Sequence, residues 1–585
     1  MKKNKKLPVW DLSDFYKSHE SEKFQQDLQN IEKESKFFNS KFKGKLDKLS
    51  KKDLIKSLQK FESLEESIGS IRSYIYLLYC TNQLDDKIVA FYQKTKEILS
   101  KIDSYLIFYT LEINRLKIKS IKFFNNSKYE SWISNLRKFK IYQQNEKIEK
   151  ILLDKNITSS AAWIRLFDQT MAGMKFKFKK KEVTESEIIN YLSSKNSEER
   201  KEAAISFGDG LKKNINLFSI ITNTLSKDLE IDRNLRGFKF SESFRHLDNQ
   251  VDKKDIDCLT QTVVENYKNL SHRYYRFKAK SFGVKKLNYW DRNAPYPDQK
   301  DVRIPWEEAK DIVTKAYKNF DTRISNIVEM FFKNSWIHAQ ICRGKASGAF
   351  SHPTVPSVHP YILVNYQNKL RDVTTLAHEL GHGVHQVLAS HNGLLVSDTP
   401  LTLAETASVF GEMLTFKFIF ENLKTPQEKK MMLTSKIEDM LNTVVRQISF
   451  FIFEKMIHEK RKNGELTVND INECWLKTQT ESLGKHIHLG QNYEYFWSYI
   501  PHFIHSPFYV YAYAFGDCLV NSLYSKYEEG FEGFNEKYIE LLSSGGSKGY
   551  KVLLNQFDLN PEKKDFWQGG LNIISDMIDN VERLN

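Results

Sequence analysis

Two histidines four positions apart with a glutamate beside the first, His378-Glu379-Leu380-Gly381-His382, commit their surroundings to one conformation. Only on an α-helix do residues i and i+4 sit one turn above each other on the same face. There, two imidazoles can reach one Zn²⁺ at roughly 2.0–2.1 Å. The glutamate lies one position further round the helix, where its carboxylate can contact a metal-bound water instead of the metal. The flanking residues agree. Val373, Leu376, Ala377, Leu380, Val384, Val387 and Leu388 recur at helical spacing. Asp372 reads as the N-cap, and His391-Asn392-Gly393 as the terminator.

A zinc site that hydrolyses peptides needs a third protein ligand and one position left open. The supplier indicated by the sequence is a helix within Asp398–Glu412, where Glu405 follows His382 by 23 residues. That distance suffices to end one helix, turn, and bring a second alongside. Glu405, Ser408 and Glu412 fall on one face of a segment otherwise made of Leu401, Leu403, Ala404, Ala407, Val409 and Phe410. A glutamate in such company is rare unless it is paired or bound to a metal. The stripe therefore reads as Glu405 the third ligand, with Glu412 or Ser408 behind it, orienting a histidine.

His378-Glu-Leu-Gly-His382 followed by Glu405-Thr-Ala-Ser408 and Glu412 closely resembles the thimet-oligopeptidase-like zinc metallopeptidases, and within them the oligoendopeptidase F branch. The resemblance extends along most of the chain. Trp10-Asp11-Leu12-Ser13-Asp14-Phe15-Tyr16 looks like the opening of that branch, and Asn288–Pro295 is similar to its Asp-x-x-Ala-Pro element. Arg343–Phe350 and His359–Tyr366 look like the strand region before the zinc helix. Pro501-His502-Phe503 and Pro507–Tyr513 resemble its substrate-facing tyrosine segment.

The resemblance implies a zincin of the His-Glu-x-x-His plus Glu type, with one Zn²⁺ per chain on His378, His382 and Glu405. It implies an endopeptidase of short unfolded oligopeptides, with Glu379 as general base and the site in a deep channel between two largely helical lobes. It also implies oxyanion donors from the last segment, carried here to His502 and Tyr509, with Tyr511 or Tyr513 as a further partner; a second histidine, His505, leaves the register between histidine and tyrosine open. Phenol and imidazole groups suit that task. The two closely spaced glycines and the apolar run within Arg343–Tyr366 suit an edge strand to which a peptide can add through its main chain.

The rest of the sequence reads as mainly α. Glycine and proline number only 24 and 12. Leu54, Ile55, Leu58, Phe61 and Leu64 form one amphipathic run. Another, from Leu433 through Ile437, Met440, Leu441, Val444 and Ile448 to Ile452, reads as a single helix of about five turns. Strand patterns are few: the alternating Lys175-Phe176-Lys177-Phe178-Lys179, and Ile362–Tyr366, which makes a small sheet beside the zinc helix. At 585 residues the chain exceeds one core. An N-terminal helical domain is expected over 1–190, followed by a catalytic domain over 191–585, with Ser194–Arg200 as linker and helix start.

Five scattered cysteines (Cys80, Cys258, Cys342, Cys474, Cys518) argue for a reducing compartment and against a cysteine zinc site. No apolar run approaches the roughly 18 residues of a membrane span, and the first ten residues lack a hydrophobic signal core. A cytoplasmic protein with oligopeptide substrates and no membrane partner is expected. The net charge of +14 is spread along the chain without a basic helix, so no nucleic-acid partner is expected either.

Overall fold

With few glycines or prolines to interrupt them, long stretches of the chain become helices. The structure is a computed structural model that describes residues 6–296 and 303–584. It is mainly α, with a three-stranded sheet and two two-stranded ones among the described residues. The chain forms two compact units, each assembled from three stretches. The first comprises Met1–Lys140, Asp301–Asn422 and Lys526–Asp558, and the second Ile141–Lys300, Leu423–Ser525 and Leu559–Asn585.

In the first unit, helices Glu22–Phe42, Lys51–Cys80 and Asp86–Arg115 start at Ser21, Ser50 and Asp85, whose side chains accept first-turn N–H groups. The three pack around Phe38, Phe61 and Tyr109, with the last two rings stacked at 4.7 Å. Leu54, Leu58, Phe61 and Leu64 are buried, as the spacing of that run requires. Burial of each such side chain stabilises the fold by about 1.5–3 kcal/mol.

The same unit holds the three-stranded sheet, ordered Ile337–His338, Tyr361–Leu363, Phe350–His352. The central strand is fully buried, parallel to the first and antiparallel to the last, which leaves Phe350–His352 at an edge. Trp10 packs edge-on against His338 and Tyr361, so the opening segment of the chain covers this sheet.

In the second unit, Phe176–Phe178 pairs with Lys181–Val183 as a hairpin, with Phe176 and Phe178 buried and Lys177 exposed. Helix Ser197–Lys213 begins after Asn196, whose side chain accepts two N–H groups, so Ser194–Arg200 does contain a helix start. The run from Leu433 to Ile452 is two helices, Pro426–Thr443 and Val445–Arg461. They meet at Val444, where the backbone departs to φ −97°, ψ −66° while the apolar residues on both sides stay buried. The apolar period survives the break, which is why the sequence pattern does not reveal it.

Candidate active site

The two-histidine segment lies in helix Leu370–Ala389 and the glutamate stripe in helix Leu401–Asn422, both in the first unit. The first helix starts earlier than its sequence suggests, so Asp372 lies inside its first turn and is not its cap. The Asp372 carboxylate accepts from the N–H groups of Lys369 (2.9 Å) and Gln367 (2.6 Å). Acid at that position satisfies free N–H groups and complements the helix dipole. The far end closes through Ser390–Asn392 onto Gly393, which takes φ +80°.

Glycine makes the two helices touch. A Cβ on Gly381 would sit 2.3 Å from the Ala407 carbonyl oxygen and 2.6 Å from the Ser408 Cα. Gly411 is a second such place: its missing side chain leaves room for the Tyr317 hydroxyl, which donates to the Ala377 carbonyl at 2.8 Å. Tyr317 thereby ties a third helix, Trp306–Phe320, to the histidine helix just before His378.

This contact brings His378, His382 and Glu405 together, with one ligand atom from each inside 4.8 Å of the others. Glu405 Oε2 lies 3.4 Å from His378 Nε2 and 3.6 Å from His382 Nε2. Ligand atoms on a tetrahedron with bonds of roughly 2.0–2.1 Å are about 3.3–3.4 Å apart, so the spacing and the N, N, O donor set fit a divalent metal of the zinc type. Ser408 Oγ donates to Glu405 Oε2 at 2.7 Å and so aims the carboxylate. Glu412 Oε2 stands 3.4 Å from His378 Nδ1, on the far side of that ring. A carboxylate there fixes which nitrogen carries the proton and frees Nε2 for a metal. Burial works against a charged His378, but the hydrogen bond to Glu412 and the nearby Glu405 and Glu379 carboxylates outweigh it and raise its affinity for a proton. His382 is hydrogen-bonded to the Ala404 backbone.

Glu379 is buried on the same helix. Burial pushes its carboxyl up to about 7; His378 and a hydrogen bond from the Ser351 backbone N–H act in the opposite direction. Ser351 is the middle residue of the edge strand, and its Oγ also donates to Gln386 Oε1 at 2.9 Å. One strand residue therefore touches the histidine helix at two points, one of them the acid between the two histidines. A carboxyl poised near neutrality is suited to accept and return a proton. His385, one turn beyond His382, is kept neutral by complete burial and faces Thr399 Oγ1 at 3.3 Å, outside the three-residue cluster. A hollow of about 490 Å³ adjoins His382, lined in part by Trp336, Val355 and Pro360.

His502 and Tyr509 belong to the second unit. Their rings are 6.4 Å apart, and Tyr513 joins them: its hydroxyl is 3.1 Å from His502 Nε2 and its ring 5.3 Å from Tyr509. Tyr511 does not. Helix Tyr511–Glu528 begins between them, so residues two apart point to different sides, and the Tyr511 hydroxyl is buried against His246 and Asn249. His505 pairs with Asp168 at 2.8 Å instead. Burial, then the neighbouring His505 and Arg446, push His502 below the ordinary histidine value, so it is neutral at neutral pH.

Sequence reasoning missed Gly381, Gly411, Tyr317 and Ser351. An isolated glycine inside a helical pattern is a usable signal for the first two, because it commonly marks close packing. Tyr317 and Ser351 carry no local signal.

Residues 190–573 match the family model described as peptidase family M3, and residues 112–176 match one described as oligopeptidase F. The chain is similar to oligopeptidase PepF of Bacillus subtilis, 26% identical over 98% of this chain and 87% of that protein. It is also similar to an oligoendopeptidase F homolog of Borreliella burgdorferi, 27% identical over 98% of both. Among solved structures, a Chlamydophila abortus protein assigned as a peptidase superposes with a TM-score of 0.87 at 19% identity, covering 99% of this chain and 98% of that one. Oligoendopeptidase F of Enterococcus faecium does so with a TM-score of 0.72 at 18% identity, covering 96% and 98%. At these identities the structural likeness concerns the fold.

Proposed function

The chain belongs to peptidase family M3 and is a metallopeptidase, and from that premise we propose a zinc-dependent endopeptidase that hydrolyses internal bonds of short unfolded peptides. One observation carries this reading: His378 Nε2 and His382 Nε2 lie at tetrahedral-edge distances from a single Glu405 oxygen, with the buried Glu379 carboxyl on the same helix. In the proposal these three residues hold one Zn²⁺ per chain. When bound there, Zn²⁺ supplies a Lewis acid and lowers the pKa of water from far above neutrality to about 7.

The chain's own groups do the rest. Glu379 takes a proton from the attacking water as its oxygen bonds to the scissile carbonyl carbon, and returns that proton to the amide nitrogen as the C–N bond breaks. Its affinity for a proton, raised by burial, suits both directions of transfer. Glu412 and Ser408 keep His378 and Glu405 oriented through the cycle. The edge strand Phe350–His352 supports binding through main-chain hydrogen bonds, which tolerates many sequences. The hollow beside His382 supports acceptance of a peptide side chain. Tyr509 and neutral His502 act as hydrogen-bond donors to the developing oxyanion, with Tyr513 bracing His502.

Along the sequence, residues 1–190 are proposed as an N-terminal helical domain and 191–585 as the catalytic one, a division supported by the start of the family match at residue 190, although each of the two compact units draws on both stretches. A cytoplasmic location is proposed on the support of five free cysteines; among the described residues no helix is long and apolar enough to cross a membrane.

The test uses internally quenched peptides blocked at both ends. The reading predicts cleavage that stops with a chelator and returns on adding Zn²⁺. Chelator-resistant cleavage contradicts the metal role, and cleavage only of peptides with a free terminus contradicts the endopeptidase assignment.

A further inference from the structure

Tyr509 is preceded by a turn that its own residues do not favour. The N–H of Tyr509 donates to the Ser506 carbonyl at 3.1 Å, Pro507 follows Ser506, and Phe508 takes φ +60°. That is the pattern of a type II turn, in which the peptide between the two central residues is flipped relative to type I. Proline suits the first central position, but the second normally requires glycine, because a Cβ is strained at positive φ. Something outside the turn must hold the flipped peptide.

Both polar groups of that one peptide are gripped from outside. Its N–H, on Phe508, donates to Glu454 Oε1 at 2.9 Å, and its carbonyl, on Pro507, accepts from Arg245 Nε at 3.2 Å. A flip to type I would break both bonds at once. Glu454 is 2% exposed, and among the described residues its other oxygen has no hydrogen-bond partner; the residue helps line a small cavity together with Phe453, Trp497 and Phe503. Burying a carboxyl is costly, and the bond from the Phe508 N–H is the hydrogen bond that offsets this cost for Glu454. Arg245 also lies over the Tyr509 ring, 5.7 Å from its centroid. The Phe508 side chain is buried, with its ring 4.6 Å from that of His458, one turn after Glu454.

We propose that Arg245 and Glu454 are positioning residues that lock the Pro507–Phe508 peptide in its flipped orientation and thereby hold Tyr509 and Tyr513 against His502. The catalytic part of this inference rests on the reading of Tyr509 and His502 as oxyanion donors. Glu454 and Arg245 touch neither substrate nor metal ligand in this assignment; they act through the turn. Burial pushes the Glu454 carboxyl up to about 8, so it is neutral at neutral pH and an amide can replace it.

The experiment compares E454L, E454Q and R245M in the zinc-loaded enzyme, reading kcat, KM and amide hydrogen exchange of the segment 506–513. E454L and R245M are expected to lower kcat by about tenfold or more with KM within about threefold, and to speed exchange in that segment without loss of zinc. E454Q keeps an acceptor of the same shape and is expected to restore kcat to within about threefold of wild type. In a double-mutant cycle, E454L with Y509F is expected to be no slower than the slower single variant by more than about threefold. R245M, at a partly exposed side chain, keeps the test intact if E454L fails to fold.

Unchanged exchange in both E454L and R245M overturns the clamp, and faster exchange with unchanged kcat overturns its catalytic role. Multiplying losses in the double variant overturn action through Tyr509. Unchanged kcat in Y509F alone refutes Tyr509 as a donor, a separate failure; slowed turnover in E454L then still supports the clamp, acting through Tyr513 and His502.

Discussion

Gly381 faces Ala407 so closely that a single methyl group would lie 2.3 Å from the Ala407 carbonyl oxygen. This contact sets the separation between the histidine helix and the glutamate helix, and so the 3.4 Å and 3.6 Å distances from Glu405 to the two imidazoles.

Gly381→Ala must therefore push the helices apart. The obstacle is backbone on a packed helix, which yields little. A stability loss of about 1–3 kcal/mol is expected from overpacking, together with weaker metal binding, because Glu405 moves with its helix. Thermal denaturation and metal content of the purified variant check this; wild-type values for both would mean that the helices can separate freely.

Glu412 and Ser408 touch His378 and Glu405, two of the proposed metal ligands. Replacing either by alanine leaves the three proposed ligands in place but removes the group that orients His378 or Glu405. Affinity for Zn²⁺ is expected to fall by about 10–100-fold, measured by competition with a chromophoric chelator. Unchanged affinity in both variants would show that the helix backbone alone orients the ligands.

Helical spacing makes this cluster legible in the sequence itself. Glu405, Ser408 and Glu412 stand out because a period near 3.6 puts them on one face of an apolar segment, and that face is where the histidines lie in the fold. The mainly α architecture is legible for the same reason: amphipathic runs carry their own period. What stays hidden depends on residues distant in sequence. The Ser351 N–H reaches Glu379 only once a three-stranded sheet has assembled from two-residue and three-residue strands too short to leave a pattern. Arg245 is 262 residues from the carbonyl it holds. Tyr511 and Tyr513 are indistinguishable in sequence, because only the start of a helix between Tyr509 and Tyr513 decides which tyrosine turns toward His502. The break at Val444 is invisible because both helices bury the same kind of residue.

Lys278 holds the Asp-x-x-Ala-Pro element, Asp291–Pro295, from inside. Its ammonium is fully buried and donates to the carbonyls of Arg292 (2.7 Å) and Ala294 (2.9 Å) and to Glu438 Oε1 (2.6 Å), which also accepts from Tyr274. Lys278→Met strands those acceptors and is expected to cost about 3–5 kcal/mol, whereas removing both partners in Lys278→Met with Glu438→Leu should recover part of the loss. Denaturant titration of the two variants decides it. A double variant no more stable than the single one would show that the carbonyl contacts, not the ion pair, dominate.

Glu454 makes stability depend on pH in a defined direction. Burial raises its carboxyl from the ordinary 4.5 to about 8 in the folded chain, with the Phe508 N–H and Arg245 opposing, and His458 on the same helix stays neutral. The folded form thus binds a proton that the unfolded form releases. Its contribution to stability is fully present below pH 4.5 and is lost as pH rises toward 8, by on the order of a few kcal/mol. Glu454→Gln cannot titrate, so the midpoint of thermal unfolding of wild type should fall relative to that of the variant across this window. Parallel curves for the two proteins would contradict a protonated Glu454.

In the proposed mechanism Glu379 moves the proton while His378, His382 and Glu405 hold the metal. The most direct measurement is the zinc content and kcat of Glu379→Gln, side by side. Zinc is expected to remain near one per chain, while kcat falls by about 10²–10⁴-fold. Near-wild-type turnover with zinc in place would contradict Glu379 as the base, and loss of zinc would contradict the division of labour between Glu379 and the three ligands.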